Sequence, residues 1–323
     1  MTQRQSAAGG ILFALVSAAT FGLSGTLGKG LLDLGWSPIA TVGFRILIAA
    51  VALTVPTVIV LRGRWHLLLG ARRLVLGYGL FAIALTQLAY FSAVQTLPVA
   101  VALLIEYLAP VLVVGFMWVA RAQRPTPLTA VGGLIALAGL VPALGLSGLT
   151  ADAVGTLWAL LAATGLAAFF VLGGEESDLP PLALAGAGLW VGVFALGAVA
   201  LTGWLPVRVA GGDVTFILGA VPWWGVGLAL GIVTAAIAYW TGIAAARALG
   251  ARVASFVGLV EILFSFLFAA LLLAQQPTAM QVLGGLVIVA GIVLVKLGEK
   301  APESVAPTLE GTPGAVEAAT PDA

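Results

Sequence analysis

The polar and apolar residues of this chain alternate on the scale of whole helices. Long apolar stretches recur along most of the sequence and are separated by short segments that hold most of the charged residues. Because an α-helix rises 1.5 Å per residue, about 20 apolar residues cross the hydrocarbon core of a bilayer. The pattern predicts ten membrane-spanning helices, at residues 8–30, 37–61, 74–92, 98–119, 127–147, 153–172, 181–203, 223–245, 252–273 and 278–297.

The composition excludes a large soluble domain. Charged residues make up 8% of the 323 residues, whereas soluble domains carry roughly 25%, and 61% are hydrophobic. The net charge of +1 and the lack of a basic stripe argue against nucleic-acid binding. With no Cys and one His, His66, the chain offers no thiolate metal site, so we expect no metal and no cofactor.

The basic residues predict the orientation in the membrane. With the N-terminus inside, eleven of the fourteen Lys and Arg residues fall on the cytoplasmic side, which is the side that such residues favour. Only Lys29 and Arg208 fall outside, and Arg45 lies within a span. Both termini are therefore expected in the cytoplasm. The excess of Arg over Lys and the absence of Asn are typical of a GC-rich bacterial genome, so we expect the bacterial inner membrane.

An internal repeat divides the chain into two halves. Residues 124–133 (RPTPLTAVGG) recur as residues 276–285 (QPTAMQVLGG), and Tyr90-Phe91-Ser92 recurs as Tyr239-Trp240-Thr241. The expected units are residues 1–148, residues 149–298, and a disordered cytoplasmic tail at residues 299–323. An odd number of spans per half inverts the second half relative to the first, which is an architecture of secondary transporters. The predicted fold class is an all-α integral membrane protein with two inverted five-helix repeats.

Three local patterns resemble a known family. They are Pro38 to Ala49 with its Arg45, Ala84 to Pro110 with Tyr90-Phe91, Ala100 and Glu106-Tyr107, and the closing pairs Gly132-Gly133 and Gly284-Gly285. Together they resemble the EamA group of the drug/metabolite transporter superfamily, over residues 8 to 297. The resemblance implies bacterial exporters with a cavity lined by spans one, three and four of each half. Glu261-Ile262 stands where the group often has Glu-Pro, so we expect the ninth span to lack that kink.

Three ionisable residues lie well inside spans, where a charge costs about 2.5–3.5 kcal/mol and usually faces a cavity or a partner. Glu106 is predicted either to bind a substrate amine and carry a proton, or to pair with Arg45. Glu261 is predicted to titrate or to accept hydrogen bonds from Ser and Thr neighbours. Arg45 is predicted to be a structural charge partner, with a substrate carboxylate as the alternative ligand.

Hydroxyl and aromatic residues complete the predicted substrate site. Ser17, Thr20 and Ser24 share one face of the first span, and they line either a polar path or a helix contact. Further candidates for contact with a small organic solute, with plain packing as the alternative, are Gln87, Tyr90, Tyr107, Tyr239 and Trp240. The paired glycines predict that spans five and ten pack closely together or form a homodimer contact.

The sequence therefore predicts a transporter in the lipid bilayer that exports a small-molecule substrate by alternating access. Without a Walker motif, the energy source is expected to be a proton or substrate gradient. Amino acids are favoured because Glu106 and Arg45 offer both charges, and because Leu104 to Pro110 resembles the fourth span of threonine and homoserine exporters. The alternatives are a multidrug or toxic-cation exporter, a passive channel and an intramembrane enzyme. The enzyme lacks support because no His or Cys lies in a span.

Overall fold

The structure is a bundle of apolar helices with one small hairpin. A computed structural model describes residues 2–94, 96–97, 99–144, 152–273, 276 and 278–298. The predicted tail at 299–323 and the predicted boundary between the repeats lie outside the described residues. In the first repeat the helices are α1 (Thr2–Asp33), α2 (Pro38–Val60), α3 (Trp65–Gly70), α4 (Arg72–Gly77), a π-helix (Tyr78–Leu85), α5 (Thr86–Ala93), α6 (Val99–Glu106), α7 (Ala109–Arg121) and α8 (Pro127–Leu144).

The second repeat follows a similar order with one addition. Its elements are α9 (Ala153–Gly173), α10 (Pro181–Leu201), β1 (Asp213–Phe216), β2 (Gly219–Pro222), α11 (Trp223–Gly231), a π-helix (Ile232–Ile237), α12 (Ala238–Gly258), α13 (Glu261–Leu273) and α14 (Ala279–Gly298). Each repeat thus carries a π-helical segment shortly before its matching tyrosine, Tyr90 or Tyr239. The duplication seen in the sequence extends to this local geometry.

Seven continuous helical stretches among the described residues are long and apolar enough to cross a membrane. Two of them, Arg72–Ala93 and Trp223–Gly258, each combine two α-helices and the π-helix between them. Three shorter apolar helices, Ala109–Arg121, Pro127–Pro142 and Glu261–Leu272, fall within the other predicted spans. Large apolar side chains face outward, among them Val119 (87% exposed) and Leu201 (90% exposed). An outer surface of this kind is stable against lipid and not against water.

The prediction of an all-α fold is wrong at one place. β1 and β2 form an antiparallel hairpin, with Asp213 opposite Pro222 and Phe216 opposite Gly219. Val214 packs against Gly30 of α1, and the Ile217 amide donates to the Leu272 carbonyl of α13 over 3.0 Å. The hairpin therefore closes over the ends of two helices, and its short strands escaped a search for apolar stretches of helical length.

The first helix of each repeat packs into the other repeat. α1 lies against α12 and α13, whereas α9 lies against α5, α6 and α7. The remaining helices pair across the repeats, α2 with α10 and α8 with α14. Exchanging the two repeats leaves this set of contacts unchanged, which agrees with two equivalent halves.

Small residues set the distance between α8 and α14, as the paired glycines predict. A methyl group added at Gly139 would lie 2.8 Å from the Ile288 nitrogen and 2.9 Å from the Gly284 carbonyl oxygen. Gly132 is equally close to Leu294. The prediction that spans five and ten pack together is confirmed.

Candidate functional site

Glu106 and Glu261 lie at breaks in two helices. α6 ends at Glu106, Tyr107 and Leu108 form a turn, and α7 begins with Ala109-Pro110. α12 ends at Gly258, and α13 begins at Glu261 after Leu259 and Val260. A carboxylate thus stands at the interruption of the fourth and of the ninth predicted span.

The expectation that the ninth span lacks a kink is wrong. The amide of Leu259 donates to Phe256 and that of Val260 to Val257, so the chain tightens into a turn with i to i−3 hydrogen bonds. Leu259 is fully buried against the neighbouring helices. Tertiary packing and local backbone bonding hold the break without proline.

The two breaks meet inside the molecule. Tyr107 shares an apolar cluster with Phe256 and Leu259, which packs on α8 and α14. The hydroxyl of Tyr107 faces the carboxylate of Glu261, so a residue of one repeat approaches the candidate carboxylate of the other. Glu106 is 8% exposed, and Glu261 is half-buried. The carboxylates therefore lie at the interface between the repeats.

Arg45 is buried to 1% exposure and connects three helices. Its Nη1 donates to the Gln87 side chain of α5, and its Nη2 donates to the carbonyl of Thr234 in the second π-helix. The guanidinium carbon lies 5.8 Å from the centre of the Phe21 ring of α1, within the range of a cation–π contact. Among the described residues, neither Glu106 nor Glu261 comes within 4.0 Å to form an ion pair with Arg45. Both carboxylates still lie close enough to interact with its charge through space.

An aromatic cluster lies beside Arg45. Phe21 meets Tyr239 edge to face, with ring centres 5.2 Å apart, and Phe169 lies 5.8 Å from both rings. Tyr78 extends the cluster, 5.9 Å from Phe169. The hydroxyls of Tyr78 and Tyr239 are buried without a hydrogen-bond partner in the described part of the chain. Side chains of both repeats therefore fill the space beside the charges.

The other predicted site residues divide into two groups. Gln87 and Tyr90 of α5 are half-buried, and Gln87 holds Arg45. Tyr107 and Tyr239 are buried at 4% and 1% exposure, so their rings pack in the interior in this conformation. On α1, the Ser17 hydroxyl donates to the Ala238 carbonyl across the helix contact, and Thr20 bonds to its own helix. Ser24 is half-buried.

One face of α1 is open between two neighbouring helices. Gly22 packs against α13, and Gly28 packs against Phe91 of α5. Gly25 is exposed and lies between these two directions on the helix, and a methyl group added there would meet no described residue outside its own helical turn within 4 Å. This open face leads along α1 toward Phe21, which adjoins Arg45.

Arginines close the opposite end of the bundle. Arg121 of α7 forms an ion pair with Glu175, which follows α9. Arg252 of α12 donates to the carbonyl of Gln123 over 2.8 Å. Arg247 donates to two carbonyl oxygens of the 174–180 loop. These contacts, called here the arginine clamp, connect the ends of the fourth, sixth, eighth and ninth predicted spans.

Both repeats also match a known family in sequence. The model of the EamA-like transporter family matches residues 8–144 and again residues 153–297. The chain belongs to the EamA-like transporter family. It is therefore a membrane transporter of the drug/metabolite transporter superfamily, and the resemblance drawn from the sequence is confirmed. Members of this family are transporters and not enzymes.

A solved crystal structure shares the fold of this EamA-like transporter. The two chains are 23% identical and superpose with a TM-score of 0.69, covering 91% of this chain and 97% of that chain. At this level of identity the likeness shows the fold alone. No curated protein sequence matches the chain.

Sequence reasoning missed three parts of this EamA-like site. Phe21 and Phe169 are ordinary apolar residues in apolar helices, and nothing in their spacing separates them from residues that face lipid. The carbonyl of Thr234 binds Arg45 through the backbone, which carries no residue-specific signal. The charged residues were found because charges within spans are rare.

Proposed function

We propose that this transporter is a secondary active exporter of small metabolites such as amino acids, coupled to protons, in the bacterial inner membrane. The observation that carries the proposal is the pair of carboxylates at two helix breaks that meet between the repeats. Glu106 and Glu261 supply negative charge at the break of each repeat, and Arg45 supplies a positive charge beside them. A zwitterion has both charges and is complementary to such a site.

In this proposal the helices cross the membrane ten times. The broken pairs α6–α7 and α12–α13 each complete one crossing, because non-helical backbone is tolerated at depth where it is buried in protein. Both termini then lie in the cytoplasm, as the distribution of Lys and Arg favours. The arginine clamp lies on the cytoplasmic side, the hairpin lies outside, and Gly25 lies in the outer half of α1.

In this orientation, the described conformation is closed toward the cytoplasm and open toward the outside. The cytoplasmic ends are joined by the arginine clamp, whereas the outer half of α1 has an open face. Export requires the reverse state as well, with the clamp released and the outer ends closed. Alternation between the two states changes the side of the membrane from which the central carboxylates can be reached.

Protons and substrate compete for the carboxylates in this scheme. A charged carboxylate is costly in a dehydrated interior unless a cation balances it, so each carboxylate binds either a proton or a substrate amine while the site is closed. Proton entry from outside, where the proton concentration is higher, then displaces the amine outward. The transporter then returns to its cytoplasm-facing state with protons and without substrate on the carboxylates. This return step couples export to the proton gradient.

The test uses the purified chain in proteoliposomes loaded with radiolabelled amino acids. We expect efflux that a proton gradient accelerates, and we expect Glu106→Gln and Glu261→Gln to abolish the acceleration. The matched control is Glu176→Gln, because Glu176 is an exposed loop carboxylate. If efflux of every amino acid is unaffected by both central substitutions, the mechanism is wrong although the fold stands.

A second candidate substrate class is supported by the aromatic residues. Phe264 and Phe268 of α13 stack with ring centres 6.5 Å apart and are half-buried, and Tyr90 lies on α5. Aromatic faces and carboxylates together favour organic cations. The same liposomes should be loaded with a fluorescent organic cation, and faster efflux of the cation than of any amino acid would identify a multidrug or toxic-cation exporter.

A further inference from the structure

The segment from the end of α2 to the first two residues of α4, residues 61–73, carries an unbalanced positive charge. It holds Arg62, Arg64, Arg72 and Arg73, one His and no acidic residue. All four arginines are exposed. Because apolar helices of membrane-spanning length stand on both sides of the segment, it is held at the membrane surface.

The short helix α3 has apolar residues on two faces, one toward the bundle and one exposed. Leu67 and Leu68 pack against the main core of the bundle. Trp65 is 48% exposed and Leu69 is 67% exposed, and residues four apart share one face of a helix. Tryptophan is enriched where lipid meets water, so this face is suited to the interface of the bilayer.

Several other arginines at this end of the molecule bind groups of the protein. Arg121, Arg247 and Arg252 form the arginine clamp. Arg64 donates to the Val60 carbonyl and thereby caps α2. In contrast, Arg62, Arg72 and Arg73 have no ion pair and no side-chain hydrogen bond in the part of the chain that the structure describes. Their charges face outward and have no protein partner among the described residues.

We propose that residues 61–73 bind the phosphate headgroups of anionic phospholipids in the adjacent leaflet. Guanidinium groups match phosphate oxygens in charge and in hydrogen-bond geometry. Clusters of four or more arginines next to a membrane-spanning helix attract anionic lipids. Trp65 and Leu69 enter the edge of the hydrocarbon region, while the arginines hold headgroups at either end of α3. The proposal does not depend on which substrate is transported.

Native mass spectrometry of the purified full-length chain tests this, with phosphatidylglycerol and phosphatidylcholine titrated separately. We expect tighter binding of phosphatidylglycerol. The double variant Arg72→Gln/Arg73→Gln should weaken that binding by roughly fivefold for each charge removed and leave phosphatidylcholine binding unchanged. The variant Arg72→Lys/Arg73→Lys should keep most of the preference, because the charge remains.

The matched control removes two exposed arginines elsewhere, Arg124→Gln/Arg208→Gln, and should retain the preference of the parent chain. Equal binding of the two lipids, or equal losses in the control and in the Arg72/Arg73 variant, would overturn the proposal. Displacement of phosphatidylglycerol by millimolar inorganic phosphate would overturn it too, because the site would then bind a soluble anion. A Gln variant that does not elute as a folded protein is replaced by Arg62→Gln, which removes one charge and for which a loss of roughly fivefold is expected.

Discussion

Arg45 carries a full charge in the interior and is held by groups from three helices. Removing such a group from water costs several kcal/mol, which its hydrogen bonds to Gln87 and Thr234 and its contact with Phe21 offset in part. The Nε atom of Arg45 has no partner among the described residues, which makes the remaining partners more important. The side chain therefore depends strongly on Gln87.

The substitution Gln87→Leu should destabilise the protein, because it leaves one donor of a buried guanidinium unsatisfied. A loss of about 1–3 kcal/mol is expected, seen as a lower midpoint in a thermal unfolding experiment in detergent. Gln276→Leu is the control, since Gln276 is exposed. A Gln87→Leu protein as stable as the parent chain would mean that Thr234 and Phe21 suffice to hold the charge.

The sequence identified the charged site residues and missed their surroundings, for a physical reason. A charge in an apolar helix is costly, so Arg45, Glu106 and Glu261 stand out by their rarity. Phe21 is one apolar residue among many in its helix. Its role depends on its contacts with Arg45 and Tyr239, which the sequence does not reveal. The use of Ser17 in a helix contact likewise depends on where α12 lies.

The helices are interrupted in matching places in the two repeats. Pro110 marks the break in the fourth predicted span, whereas the break in the ninth has no proline and depends on packing around Leu259. Sequence patterns predicted the existence of nearly every helix because apolar length is a strong signal. Both helix breaks and the hairpin were missed, since none of them changes the number of apolar residues over a helical length.

The contact between α8 and α14 should be sensitive to side-chain volume. A side chain at Gly291 would overlap the backbone of Ala136 and the Gly132 carbonyl, so Gly291→Leu must separate the helices. We expect a destabilisation of about 1–3 kcal/mol, measured as a lower unfolding midpoint.

Gly197→Leu of α10 is the matched control. A methyl group added at Gly197 would meet no described residue outside its own helical turn within 4 Å, so the control should be near neutral. Equal effects of the two substitutions would show that the small residues of α8 and α14 do not set the helix separation.

At the scale of the whole molecule, the two repeats are interlocked. Each first helix packs into the opposite repeat, and the arginine clamp joins one end while α1 keeps an open face toward the other. The two-repeat architecture could be predicted from the repeated motifs. The packing of each first helix against the opposite repeat could not be predicted, because a repeat in the sequence does not determine which helices are in contact.

The open face of α1 predicts a specific pattern of chemical labelling. The chain has no Cys, so a single introduced thiol reports one position. In the proposed orientation, Gly25→Cys should react with a membrane-impermeant maleimide from outside intact cells, because Gly25 is exposed and uncrowded in the outer half of α1. Ser255→Cys should not react, since Ser255 is 1% exposed near the clamp.

Breaking the clamp should shift the labelling. In inverted vesicles, Arg121→Gln/Arg252→Gln should raise the labelling of Ser255→Cys, because two of the contacts that close this end are lost. Labelling of Ser255→Cys at the same rate with the clamp intact would show that this end is already open.

Gly250 imposes a geometric limit on any change of shape. It alone joins the two helical parts of α12, at φ +78°, a region of backbone angles that favours glycine. Neighbouring α-carbons stay about 3.8 Å apart whatever the conformation. The helical parts on either side of Gly250 therefore stay joined at this residue. Their relative orientation can change only by rotation about the backbone bonds of Gly250. A change in the angle between residues 238–249 and residues 251–258 must therefore turn at Gly250, and Arg247 and Arg252, on either side of it, bind backbone carbonyls that fix this angle in the described conformation.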